Sequence, residues 1–247
     1  MYKSSNPALS EQIFRKQQSV TSTEVMTVQG TKHKTLAMLG LVVLGAVYTW
    51  NLASTGAPSL TMWMAIGGIG GFITALITAF SPRLAHITAP IYAVLEGLLL
   101  GGLSAIMATQ YGLGIITQAV GLTFATFFLM LLLYRTGTIK VTDKFRTGVF
   151  AATGAVALMY FISFILGMFG VNIGFIHDSG LVGIIISLVV IGIAALNLTL
   201  DFDFIERSAA MQMPKHMEWY GAFGLMVTLV WLYIEFLRLL TRFTKRN

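Results

Sequence analysis

Seven stretches of about 20 mostly apolar residues constrain this chain more than any other feature. They occupy roughly 36–53, 60–80, 87–107, 113–133, 147–170, 181–203 and 217–240. A run of that length crosses about 30 Å of hydrocarbon as a helix, and lipid satisfies no backbone polar group that a helix leaves open. Only 11% of the 247 residues are charged and 56% are hydrophobic. A water-soluble domain carries about 25% charged residues, so there are too few charges here to coat a globule. The sequence therefore predicts an all-α, polytopic membrane protein with seven transmembrane helices. Residues 1–35 read as a polar cytoplasmic tail and 36–247 as the membrane domain. The tail has no early apolar core with a small-residue cleavage site, which a secretory signal would show.

The connectors orient the layout. With the tail inside, the inner segments carry Lys3, Arg15, Lys16, Lys32, Lys34, Arg83, Arg135, Lys140, Lys144, Arg146, Arg207 and Lys215. The outer connectors 54–59, 108–112 and 171–180 carry no lysine or arginine. That asymmetry is the inside-positive pattern of membrane topology. It also explains the net charge of +6 without nucleic acid, since the basic residues lie in short segments between apolar runs. The seventh run sits less easily. Crossing there puts Arg242, Lys245 and Arg246 outside, against the rule; crossing is still expected, because the run is long and opens on Trp219 and Tyr220 at interface depth. Short loops and the lack of an organellar signal point to a bacterial plasma membrane.

Glycines four apart, Gly67 with Gly71 and Gly97 with Gly101, place small residues on one helix face and mark close helix contacts. Neither pair lies in a strand-to-helix turn, so no phosphate loop is implied. Cysteine is absent, which removes disulfides and thiolate chemistry. No H-E-x-x-H or G-x-S-x-G pattern occurs and no two histidines stand at metal spacing on a helix, so neither an enzyme nor a bound cofactor is expected.

Acids at membrane depth cost roughly 2.5 kcal/mol or more, so they line a pathway or pair internally. The candidates are Glu96, Asp201, Asp203, Glu218 and Glu235. Glu96 stands beside Gly97 and reads equally as a pathway acid or a core acid that fixes packing. Asp201 and Asp203 are about 200° apart on a regular helix and cannot face one site. Asp203 and Glu206 read as a solvated helix end, while Asp201 lies deeper. Glu235 and Arg238, three apart, read as an ion pair on one helix face, and Glu218 as an interfacial carboxylate.

Three segments together resemble the Bax inhibitor-1 (transmembrane Bax inhibitor motif, YccA-like) family in a bacterial-type member. They are Tyr92-Ala93-Val94-Leu95-Glu96-Gly97-Leu98-Leu99-Leu100-Gly101, Leu200-Asp201-Phe202-Asp203-Phe204-Ile205, and Leu232-Tyr233-Ile234-Glu235-Phe236-Leu237-Arg238-Leu239-Leu240. The resemblance implies two layers of three helices around a central seventh. It also implies a pH-sensitive calcium leak, with calcium as the ion carried rather than a cofactor. Partners implied besides the lipid bilayer are other membrane proteins, a membrane-bound protease among them. The family's gate uses two aspartates that share a proton and a basic latch near the end of span two. Asp201 matches the first aspartate and Arg83 lies near the latch. Alignment on Phe236-Leu237-Arg238 puts Thr228 at the second aspartate. A rise of 1.5 Å per residue places residues near 227 at the depth of Asp201, which favours Thr228. A second register would put Glu235 there, about 10 Å further out.

Overall fold

The computed structural model describes residues 25–170 and 180–246. The expected tail therefore lies outside the described residues up to position 24, and the connector 171–180 does so except for Gly180. Seven long helices run through the described residues: α1 Val28–Ser54, α2 Leu60–Phe80, α3 Ala85–Tyr111, α4 Leu113–Arg135, α5 Asp143–Met168, α6 Leu181–Ala210 and α7 Met217–Arg246. Each is long and apolar enough to span a membrane. α7 is unbroken over 30 residues, about 45 Å, long enough to cross without turning back.

Several helices outrun the apolar stretches that announce them: α7 continues past 240 to Arg246 and α3 past 107 to Tyr111, and four extend at the end where the charged connectors lie. α1 starts at Val28, eight residues before the expected span and inside the expected tail. Thr27 caps it, its hydroxyl accepting from the Gly30 amide at 2.9 Å, which satisfies one of the open donors of the first turn. Thr31 and Thr35 then donate back to the carbonyls four residues earlier, at 3.0 Å each. Their polarity is absorbed by their own helix, so both are buried although they read as tail. α5 begins at Asp143 under a Thr142 cap that accepts from the Phe145 amide at 3.2 Å. α6 runs on to Ala210, and α3 begins directly after the 3₁₀ turn Pro82–Leu84.

α7 is the central helix: 67% of its apolar window is buried, more than in any other span. It packs against α1, α3, α4 and α6, while α2 lies outside on α3 and α5 on α6. The glycine faces do what their spacing predicts. A Cβ on Gly97 would stand 2.3 Å from the Val42 carbonyl oxygen, and one on Gly101 2.2 Å from that of Ala46. α3 and α1 are thus in backbone contact along two helical turns.

The α6–α7 corner sets the depth at which these two helices face each other. After the cap residue Met211, the Gln212 amide donates to Ala209 and the Met213 amide to Ser208, both at 3.0 Å. This is the paired bonding of a Schellman ending, with Gln212 at φ 52° in the left-handed position. Met213 in turn accepts from the Met26 amide at 2.7 Å, and Val25 pairs with Pro214. The chain just ahead of α1 is thereby tied to the corner.

Candidate functional site

Asp201 sits nine residues from the end of α6 and Thr228 eleven from the start of α7, about 14 and 17 Å in. The corner turns α7 back along α6, and the two residues meet. Thr228 Oγ1 stands 2.6 Å from Asp201 Oδ2 and donates to it. The same hydroxyl lies 3.2 Å from the Gly224 carbonyl oxygen. Gly224 is the floor of the site, since a Cβ there would be 3.4 Å from Asp201 Oδ1. Carboxylate, hydroxyl and carbonyl oxygens are therefore grouped at mid-depth between two helices. One turn earlier on α6, Asn197 donates to Thr153 Oγ1 of α5 at 2.7 Å.

A hydroxyl has one proton and two acceptor lone pairs. While Asp201 is ionised, the Thr228 proton belongs on the carboxylate, the nearer and more basic acceptor. Once Asp201 is protonated it can donate to Thr228 Oγ1, and Thr228 can turn its own proton to Gly224. The Asp201–Thr228 hydrogen bond can thus form in either state, with its polarity reversed.

The other sequence candidates are not brought to this place. Asp203 faces away from Asp201, as the 200° spacing requires. It is not the solvated helix end expected of it: it is buried and accepts from Arg146 Nη2 of α5 at 2.8 Å and from Arg207 Nε at 2.9 Å. Arg207, four residues on, was a helix-face neighbour legible in the sequence, whereas Arg146 is contributed by a different span. Glu206 is exposed and accepts from the Tyr134 hydroxyl at 2.6 Å. Glu235 is two turns further along α7 than Thr228. It pairs with Arg238 at 3.0 Å and accepts from the Tyr160 hydroxyl of α5 at 2.8 Å, and the Arg238 guanidinium lies over the Tyr160 ring, 4.7 Å from its centre. The register that would place Glu235 opposite Asp201 does not correspond to the packing.

Glu218, expected as an interfacial carboxylate, is fully buried within the protein. Its Oε1 accepts from the Thr27 amide and hydroxyl, both at 2.9 Å, and its Oε2 from the Lys34 ammonium. Lys215 stands 3.4 Å away. This junction ties the start of α1 to the start of α7 across 184 residues, and nothing local in the sequence signals it. Glu96 is buried on α3, with Oε2 3.1 Å from where a Gly71 Cβ would sit, and no ion pair to it occurs among the described residues. Arg83 lies exposed on the 3₁₀ turn and makes no ion pair with Asp201. The described residues hold no cluster of three or more histidine, aspartate or glutamate side chains that could keep a metal ion.

The family model described as Bax inhibitor 1 like matches residues 6–245. The chain belongs to the Bax inhibitor 1 like family. As a member of that family it is a multi-pass membrane protein, with seven helices that meet the span criteria. A comparison with curated proteins gave no match. In this Bax inhibitor 1 like chain the side chain that meets Asp201 across the α6–α7 contact is the Thr228 hydroxyl.

Proposed function

We propose that this protein is a pH-modulated calcium leak pathway in which Asp201 is the acid that meets the ion. The observation carrying this reading is the company Asp201 keeps. At mid-depth between α6 and α7 it meets, across two helices, a hydroxyl that also reaches a carbonyl. It meets no cation among the described residues, a lack it shares with Glu96, whereas Asp203, Glu218 and Glu235 are each ion-paired. A carboxylate at membrane depth without a counter-charge is costly and marks a route for ions or protons. Oxygen donors suit a hard cation, and calcium takes six to eight of them when held firmly. Asp201, Thr228 and the Gly224 carbonyl supply far fewer, which suits passage better than storage. No bond is made or broken in such an activity, so no enzymatic step is assigned.

The orientation proposed with it puts the start of α1 in the cytoplasm of a bacterial plasma membrane, on the charge asymmetry of the connectors. Arg83 remains a proposed latch for a state other than this one. A second reading is a non-conducting regulator of other membrane proteins, a membrane protease among them. It is favoured by the outer helices α2 and α5, only 11% buried in each apolar window, which leaves wide faces for a partner.

Calcium flux into proteoliposomes holding only the purified protein decides between the two. Asp201→Asn is expected to change flux well beyond Asp203→Asn. Equal or negligible effects of both would remove the site, and no flux above protein-free liposomes would favour the regulator.

A further inference from the structure

On the face of α7 turned away from Asp201, α1, α3, α4 and α7 enclose a cavity of about 310 Å3. Its floor includes Ser104 of α3 and Met226, Val230 and Tyr233 of α7. Val230 is two residues beyond Thr228, about 200° round the helix. The cavity lies in the half of the bundle toward the connectors that join α1 to α2 and α3 to α4. α1 and α4 form its two sides and do not pack against each other along their length.

We propose that an acyl chain of a bilayer phospholipid enters between α1 and α4 and occupies this cavity. Three observations select that occupant. First, the rim is continuous with the lipid-facing surface: Val43, Val47, Val120 and Phe124 line the cavity and are also among the exposed hydrophobic residues of their spans. Second, the interior asks for nothing polar. Ser104 Oγ donates to the Leu100 carbonyl at 2.6 Å and shares a 2.6 Å hydrogen bond with the Tyr233 hydroxyl, and Thr123 donates to Ala119 at 2.8 Å. The volume would hold roughly ten waters, but walls of this kind stay dry. Third, Trp50, four residues from the end of α1, lines the outer end of the cavity, at the level where tryptophan meets headgroups. The headgroup stays there and the chain runs inward.

The occupant bears on the side of α7 opposite Thr228, so lipid can set how closely α7 presses on α6. The proposal itself concerns occupancy and stands apart from the leak reading. Its test is reconstitution of the full chain in phospholipid carrying a diazirine midway along one acyl chain, followed by irradiation and peptide mass spectrometry. Adducts are expected on Met226, Tyr233 or Ser104, as well as on lipid-facing residues such as Leu44 and Phe161. Ser104→Leu fills the floor and Val120→Trp narrows the mouth. Each should abolish the floor adducts while leaving Phe161 labelled, which also reports a folded bundle. Labelling confined to the outward faces in the wild type would overturn the proposal, as would floor adducts that persist unchanged in both variants.

Discussion

On the proposed leak reading, the Asp201–Thr228 contact sets how the pathway responds to pH. Two carboxylates facing each other share a proton and titrate as a coupled pair with two separated steps. A carboxylate facing a hydroxyl titrates alone. Because the hydroxyl can donate to the ionised form and accept from the protonated one, neither state forces the helices apart. Calcium flux through the wild type should therefore depend on pH less steeply than flux through Thr228→Asp, which rebuilds an acid pair. Flux between about pH 5 and 8 for the two forms checks this; a steep wild-type curve that Thr228→Asp leaves in place would remove Thr228 from the gate. The family resemblance pointed to Thr228, and the depth agreed, because two helices joined by a tight corner keep residues at equal rise from that corner level with each other. The Lys34–Glu218 junction was not legible in the sequence. Its partners lie 184 residues apart, and a buried ion pair between distant elements leaves no periodic trace. Asp203 was misread for the same reason, with Arg146 57 residues away.

At the level of the helix, small residues decide which elements touch. α3 lies against α1 with no room for a side chain at Gly101, where the obstacle is the Ala46 backbone and not a flexible tip. Gly101→Ala must push the two helices apart, a loss of about 1–3 kcal/mol typical of overpacking. Gly192 of α6 has open space around it, and Gly192→Ala should be neutral or stabilising by up to about 1 kcal/mol through helix propensity. Thermal unfolding of both variants in the same detergent checks the contrast, and equal behaviour would show that the α1–α3 contact is not limiting. The four-residue spacing made these faces readable from sequence. Helix ends were less so, because an apolar run reports the hydrocarbon crossed while a helix continues into water as long as capping and back-bonding satisfy it. Val28 to Thr35 in α1 and Phe204 to Ala210 in α6 are of that kind.

For the molecule as a whole, an odd number of spans places the start of α1 and the end of α7 at opposite ends of the bundle. The basic residues of the connectors then oppose those that end α7. Arg242 shows why the conflict is tolerable: it is buried, and its guanidinium donates to the Gly183 carbonyl and, at 2.8 Å, to Ser187 Oγ at the start of α6. A charge held inside the protein is part of the helix contact and weighs less in orientation than charges in short loops. Lys245 and Arg246 remain, against Arg83, Arg135, Lys140, Lys144, Arg146, Arg207 and Lys215 at the other end. The balance favours those seven on the cytoplasmic side. The absence of cysteine makes the test direct, since any introduced thiol is the sole target. An impermeant maleimide applied to intact cells should modify Gly56→Cys, between α1 and α2, and Thr244→Cys, near the end of α7. It should spare Thr138→Cys, between α4 and α5, until the membrane is opened. Labelling of Thr138→Cys in intact cells with protection of Gly56→Cys would invert the proposed orientation. Protection of Thr244→Cys together with labelling of Gly56→Cys would instead mean that α7 does not cross, against its unbroken 30-residue length.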